Sequence, residues 1–150
     1  MENPLKVTFH DVGTIADGKI TFVVIVARFH GEWLLVRHRE RKTLEIPGGH
    51  REAPETLEEA AHRELFEETG AADSELFPIA VYSVTGADDK TSYGQLYFAE
   101  VWEMASLPES EIAEVYFRRD FPTDNLTYPL IQPFLYGKAL EYLGVVNPAY

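Results

Sequence analysis

Residues 49–71 read GHREAPETLEEAAHRELFEETGA, and the rest of the chain is organised around this stretch. Thr56 with Glu59 three residues on is the pattern of a capping box, and Gly70 stands where a left-handed C-terminal cap belongs. Leu57, Ala61 and Leu65 recur at helical spacing, so the pattern predicts a helix over 56–69. Seven of the chain's 25 acids fall between Gly49 and Ala71: Glu52, Glu55, Glu58, Glu59, Glu64, Glu67 and Glu68. A glutamate-rich helix is ordinarily a solvated surface. Here Glu64, Glu67 and Glu68 are spaced i, i+3, i+4 and share one patch. Glu64 and Glu68 also fall within the arc of Leu57, Ala61 and Leu65, the stripe that faces the protein body. Like charges one turn apart beside a buried stripe repel each other and lose hydration. A divalent cation relieves both, and hard carboxylate oxygens suit Mg²⁺ or Mn²⁺ rather than zinc. Arg63 can pair with Glu59 or reach back to Glu55, which would orient the acids.

Working outward, Leu5 to Val12 reads as a strand, and a turn follows at Ala16-Asp17-Gly18. Lys19 to Phe29 is nearly continuous in β-branched and aromatic residues, as in a strand buried on both faces. Gly31 turns the chain into a hairpin partner, Trp33 to Arg37. Arg37, Arg39, Arg41 and Lys42 form the one basic patch, and Pro47-Gly48-Gly49 then interrupts regular structure. Leu76 to Thr85 and Thr91 to Met104 are strand-like and joined by the polar turn 86–90, and Glu114 to Phe117 is a short strand. A closing helix is expected over Tyr128 to Leu143, with Gly144 after its end and a late start or a kink at Pro133. Strands with two helices around one sheet give an α/β sandwich.

The chain has 150 residues, 45% of them apolar and 25% charged, which suits a single globular domain over 1–150. Thirteen Lys and Arg against 25 Asp and Glu leave a net charge of −12. That field repels phosphate backbones, so DNA binding is not expected, yet a small polyanion escorted by a cation is allowed. The absence of cysteine excludes disulfides, Cys-ligated zinc and a thiol nucleophile. The first residues lack the order of a signal peptide and no apolar run is long enough to span a membrane. A cytoplasmic protein is expected. His10, His30, His38, His50 and His62 show no metal-ligand spacing and are expected at the surface.

Gly49, five residues, Glu55, seven residues, then Arg63-Glu64-Leu65-Phe66-Glu67-Glu68-Thr69-Gly70-Ala71 resembles the complete Nudix box. The surrounding strand order is similar to the Nudix fold as well, so the resemblance covers most of the chain and implies an α/β/α sandwich with a mixed central sheet. It implies a Mg²⁺- or Mn²⁺-dependent hydrolase of a nucleoside diphosphate linked to another moiety. Residue by residue, it implies Glu64, Glu67 and Glu68 as metal ligands with the Gly48 carbonyl, Glu55 as a metal-linked or hydrogen-bonding group, and Arg63 as an orienting group. Signatures of the ADP-ribose, NADH, coenzyme A and dinucleoside-polyphosphate groups are not matched. The chain then resembles the MutT-like group, which converts nucleoside triphosphates, oxidised purine dNTPs such as 8-oxo-dGTP among them, to the monophosphate and pyrophosphate. The segments 33–38 and 44–49 carry this likeness. An RNA 5′-end pyrophosphohydrolase, a hydrolase of another nucleoside diphosphate derivative and a non-catalytic regulator of the same fold are the competing readings.

Substrate contacts are expected from Arg37 and Arg41 in the basic run. Thr127 and Tyr128 are expected to contribute as well, since they stand where some MutT-like enzymes place a base-reading asparagine. The group that activates water often lies outside the box, and the segment 107–114 offers Glu109 and Glu111, with Glu111 ahead. Glu114 opens a strand and reads as a structural partner; Glu55 and Glu67 are next in line as the base.

Overall fold

The computed structural model describes residues 5–146. Its elements are β1 (Lys6–His10), a 3-10 turn (Asp17–Lys19), β2 (Ile20–Phe29), β3 (Glu32–His38), β4 (Gly48–His50), α1 (Leu57–Thr69), β5 (Ala71–Thr85), β6 (Thr91–Met104), β7 (Ile112–Arg118) and α2 (Gln132–Val146). The β-branched run of β2 makes it the axis of the sheet. One edge of β2 pairs in parallel with β6 along its length, from Ile20 opposite Tyr93 to Phe29 opposite Val101. The other edge is divided. Arg28 and Phe29 pair with β3, whereas Phe22 to Val24 pair with β4. The strand order is β1-β5-β6-β2-β3-β7, with β4 on β2, and every pairing but β2–β6 is antiparallel.

Burial of β2 on both faces follows from a helix on each. Ala60, Ala61 and Leu65 of α1 pack on Val23, Ile25, Ala27 and Leu34. Leu135, Ala139 and Leu143 of α2 pack on Val26, Leu35, Leu96 and Phe98 on the opposite face. The result is the expected α/β/α sandwich with a mixed sheet. The capping box holds α1 at its start: Glu59 N–H donates to Thr56 Oγ1 at 3.1 Å and Thr56 N–H to Glu59 Oε1 at 2.9 Å. Gly70 ends it at φ 80°, a left-handed turn that costs glycine little.

Several boundaries differ from the sequence pattern. Gly48-Gly49 is not an interruption but part of β4, because the divided edge of β2 leaves backbone groups at Phe22 to Val24 for it to pair with. β5 begins at Ala71 rather than Leu76, since pairing with β6 starts directly after the cap, at Ala71 opposite Met104. Pro78, which has no N–H to give, sits at a register shift within that ladder. β7 runs from Ile112 and so leaves Glu111 at its mouth. Of the two outcomes expected at Pro133, the late start is found. α2 begins at Gln132, Pro129 lies before it, and Gly144 is within the helix rather than beyond it.

Candidate active site

A cavity of about 590 Å³ opens where β3 and β4 part company along β2. Its lining joins two chemistries. Five carboxylates form an acidic cluster: Glu64 and Glu68 from α1, Glu45 from the segment between β3 and β4, Glu52, and Glu111 from the loop before β7. Phe22 and Val24 of β2, Tyr82 of β5, Tyr93 of β6 and Leu135 of α2 add aromatic and aliphatic surface. His38, Arg41, Tyr128 and Gln132 line it as well.

Glu68 is buried, and its surroundings disfavour charge. Burial pushes its carboxyl up to about 8; the Gly48 N–H, donating to Oε1 at 3.0 Å, opposes this, while the charges of Glu64, Glu45 and Glu111 add to it. Burial likewise raises the Glu64 carboxyl against the pull of Arg63. The Glu64 carboxyl lies directly over Gly49: a Cβ there would be 2.5 Å from its carboxyl carbon, so any other residue would make the carboxylate turn aside. Arg63 organises the flank. Its Nε and Nη2 donate to Glu55 at 2.6 and 2.9 Å, Nη2 also to the His50 carbonyl at 3.0 Å, and Nη1 to Glu64 at 2.7 Å and Glu67 at 3.3 Å. The hydrogen bond from Arg63 holds the Glu55 carboxyl below its ordinary range. Of the two partners expected for Arg63, Glu55 is the one it takes.

The donor set suits a hard divalent cation: it is all oxygen, largely desolvated, and carries more negative charge than its neighbours balance. Among the described residues no three His, Cys, Asp or Glu side chains converge as a ready cage. The hydrogen bonds show why, for Glu64 and Glu67 turn to Arg63 and Glu68 turns to Gly48 N–H.

The structure brings Gly48, Glu64, Glu68, Arg41, Tyr128 and Glu111 together around the cavity. It leaves other candidates outside the lining. Glu55 and Glu67 pair with Arg63, and Glu109 is exposed in the loop before β7. Thr127 bonds to Thr43, Oγ1 to Oγ1, at 2.6 Å. Arg37 donates to Tyr116 Oη at 3.3 Å and to the Arg41 carbonyl at 3.1 Å, and lies 3.6 Å from Glu114, its partner across β3 and β7. Arg41 instead pairs with Glu45 at 2.9 Å and lies over the Tyr128 ring.

Three lining residues escape sequence reasoning. His38 is not a surface residue: its Nε2 lies 2.9 Å from Glu45 and 3.5 Å from Glu68, with 19% of the side chain exposed. Glu45 is buried between buried Leu44 and Ile46, and a lone carboxylate in an apolar triplet was its only signal. Gln132, buried at the start of α2, accepts the Ile46 N–H on Oε1 at 3.0 Å, a pairing 86 residues apart.

Residues 18–133 match the NUDIX domain. A Bacillus subtilis (strain 168) protein named "Putative 8-oxo-dGTP diphosphatase YtkD" is 38% identical over 100 residues, which are 67% of this chain; the match spans 61% of that relative's length. The solved pyrophosphohydrolase BsRppH of Bacillus subtilis is 27% identical with a TM-score of 0.77, over 92% of this chain and 90% of that one. The NUDIX domain of Shewanella oneidensis NrtR, solved with ADP ribose, is 18% identical with a TM-score of 0.64, over 89% and 94% of the two chains, a likeness of fold.

Proposed function

The chain belongs to the Nudix hydrolase family, and from that premise we propose that it hydrolyses nucleoside triphosphates to the monophosphate and pyrophosphate with Mg²⁺ or Mn²⁺. The observation that carries this reading is a cavity whose lining joins an acidic cluster to aromatic and aliphatic side chains. A volume of about 590 Å³ is of nucleotide size, within the roughly 300–1,000 Å³ of small-molecule sites. An escorted phosphate chain suits the carboxylates and a base suits the aromatic and aliphatic side chains. The name of the YtkD relative supports an oxidised purine dNTP such as 8-oxo-dGTP as the nucleotide. A single domain over 1–150 acting in the cytoplasm belongs to the same reading. No helix among the described residues is long and apolar enough to cross a membrane.

Glu64, Glu67 and Glu68, with the Gly48 carbonyl, are the residues that would hold the cation. When bound, the ion neutralises phosphate oxygens and lowers the pKa of water. Arg63 keeps Glu64 and Glu67 oriented and is itself fixed by Glu55. Glu111, an exposed carboxylate of the acidic cluster, is the group that would accept a proton from the attacking water. Arg41 would meet the phosphate chain, and Tyr128 would present its ring to the nucleoside.

A panel of (d)NTPs, 8-oxo-dGTP, ADP-ribose and 5′-triphosphorylated RNA, assayed with Mg²⁺ and with Mn²⁺, tests the reading. A nucleoside triphosphate should show the highest kcat/KM and release pyrophosphate. If ADP-ribose or the RNA is preferred, or orthophosphate is the product, the substrate assignment is wrong.

A further inference from the structure

We propose that His38 is a positioning residue for the acidic cluster: through Nε2 its imidazole holds Glu68 against Glu45, while its other edge spaces that pair from Glu111. This rests on the reading of Glu68 as a ligand of the divalent cation. Glu45, Glu68 and Glu111 come from three separate segments, and nothing local in sequence relates them.

Each buried carboxylate has one oxygen already fixed. Arg41 holds Glu45 Oε2 at 2.9 Å, and the Gly48 N–H holds Glu68 Oε1 at 3.0 Å. The remaining oxygens, Glu45 Oε1 and Glu68 Oε2, both turn to His38 Nε2, at 2.9 and 3.5 Å. A donor between two desolvated carboxylates is what keeps them from separating. On the other side, His38 Nδ1 stands 3.8 Å from Glu111 Oε2.

The backbone is arranged to deliver this side chain. His38 ends β3 at a register shift between Arg37 and His38, the kind of bulge that re-aims a side chain. The next residue ties down the facing loop. Arg39 N–H donates to the Glu111 carbonyl at 2.8 Å, and Arg39 Nε donates to the Ser110 carbonyl at 3.0 Å. Imidazole and Glu111 are thereby set side by side. Without the imidazole, Glu68 Oε2 loses its partner and the carboxylate gains rotational freedom, so a cation meets a less organised ligand.

The test compares His38→Ala, His38→Gln and His38→Asn. Binding of Mn²⁺ to nucleotide-free protein is followed by EPR of the free ion, beside kcat and KM with saturating Mg²⁺. His38→Ala should weaken Mn²⁺ binding and lower kcat by about 10–100-fold, with KM changing less than about threefold. His38→Gln places an amide nitrogen near the Nε2 position and should recover most of both, whereas His38→Asn places one near Nδ1 and should not. His38→Ala with unchanged Mn²⁺ affinity and kcat, or equal recovery by Gln and Asn, overturns the proposal. Melting curves in EDTA identify any variant that fails to fold, and the Gln–Asn comparison decides if Ala does. Glu68→Gln in the same titration separates the two readings. Should it bind Mn²⁺ as the wild type does, the ligand role of Glu68 is refuted. Should it lose Mn²⁺ while His38→Ala keeps it, only the positioning role is refuted.

Discussion

Replacing Glu68 with Gln should stabilise the metal-free protein, and the gain should depend on pH. The carboxyl ordinarily titrates at 4.5, and in the fold it is pushed up to about 8, chiefly by burial. An acid whose folded value is raised binds more protons when folded. It therefore costs nothing well below the ordinary value, and stability is lost as pH climbs from there toward the folded value. At about 1.36 kcal/mol per unit, the loss reaches about 3 kcal/mol at pH 7 and falls below about 1 kcal/mol near pH 5. Gln keeps an acceptor for the Gly48 N–H and removes the charge. In EDTA at pH 7 the variant should melt higher than the wild type by about 6–12 °C, at roughly 2–4 °C per kcal/mol. At pH 5 the gap should nearly close. Addition of Mg²⁺ or Mn²⁺ should raise the melting point of the wild type and barely move the variant. Differential scanning calorimetry across pH 5–8 reads all of this. A variant less stable than the wild type in EDTA at pH 7, or a gap that ignores pH, refutes the reasoning.

The two arginines of the basic run should behave differently. Arg41→Ala, which removes the cation lining the cavity, should raise KM by about tenfold, as loss of a charge-assisted contact does. Arg37→Ala should leave KM unchanged, because its donors serve Tyr116 and the Arg41 carbonyl; equal effects on steady-state KM would refute the distinction. Glu111→Gln should lower kcat by about 10²–10⁴ and recover part of it at high pH, as loss of a general base does. Glu109→Gln, outside the lining, should match the wild type, and pH–rate profiles of both separate them. Arg63→Lys should cut kcat as Arg63→Ala does, since an ammonium cannot bridge Glu55, Glu64 and Glu67 at once; full activity of the Lys variant would show that charge alone suffices.

What could be read ahead was local. The capping box, the left-handed Gly70 and the placing of Glu64 and Glu68 beside Leu65 are all set within a few turns of one helix. Periodicity therefore carried them. The same locality explains why Arg63 was narrowed to two partners. What escaped reading was made by distant pairings. His38 looked like a surface histidine because its partners Glu68 and Glu111 are 30 and 73 positions away and meet it only once β3, α1 and the loop before β7 assemble. Gln132 turns inward because the Ile46 N–H needs an acceptor, a demand invisible in the α2 sequence. The basic run reads as one patch in the sequence. In the fold Arg37 belongs to the β3–β7 ladder, while Arg41 follows the strand and turns to Glu45. Gly48-Gly49 was legible as a break in the pattern but not as β4, which pairs with the edge of β2 that β3 leaves open.

The most direct test is turnover of a nucleoside triphosphate by wild type and Glu64→Gln at equal, saturating Mg²⁺, with products separated by anion exchange. Glu64 lines the cavity and lies against Gly49, so its charge bears on the cation while the Gln variant keeps the helix. The wild type should yield monophosphate and pyrophosphate in equal amounts and stop in EDTA, and Glu64→Gln should lose turnover by orders of magnitude with its fold intact. Full turnover by Glu64→Gln, or hydrolysis that persists in EDTA, would contradict the account.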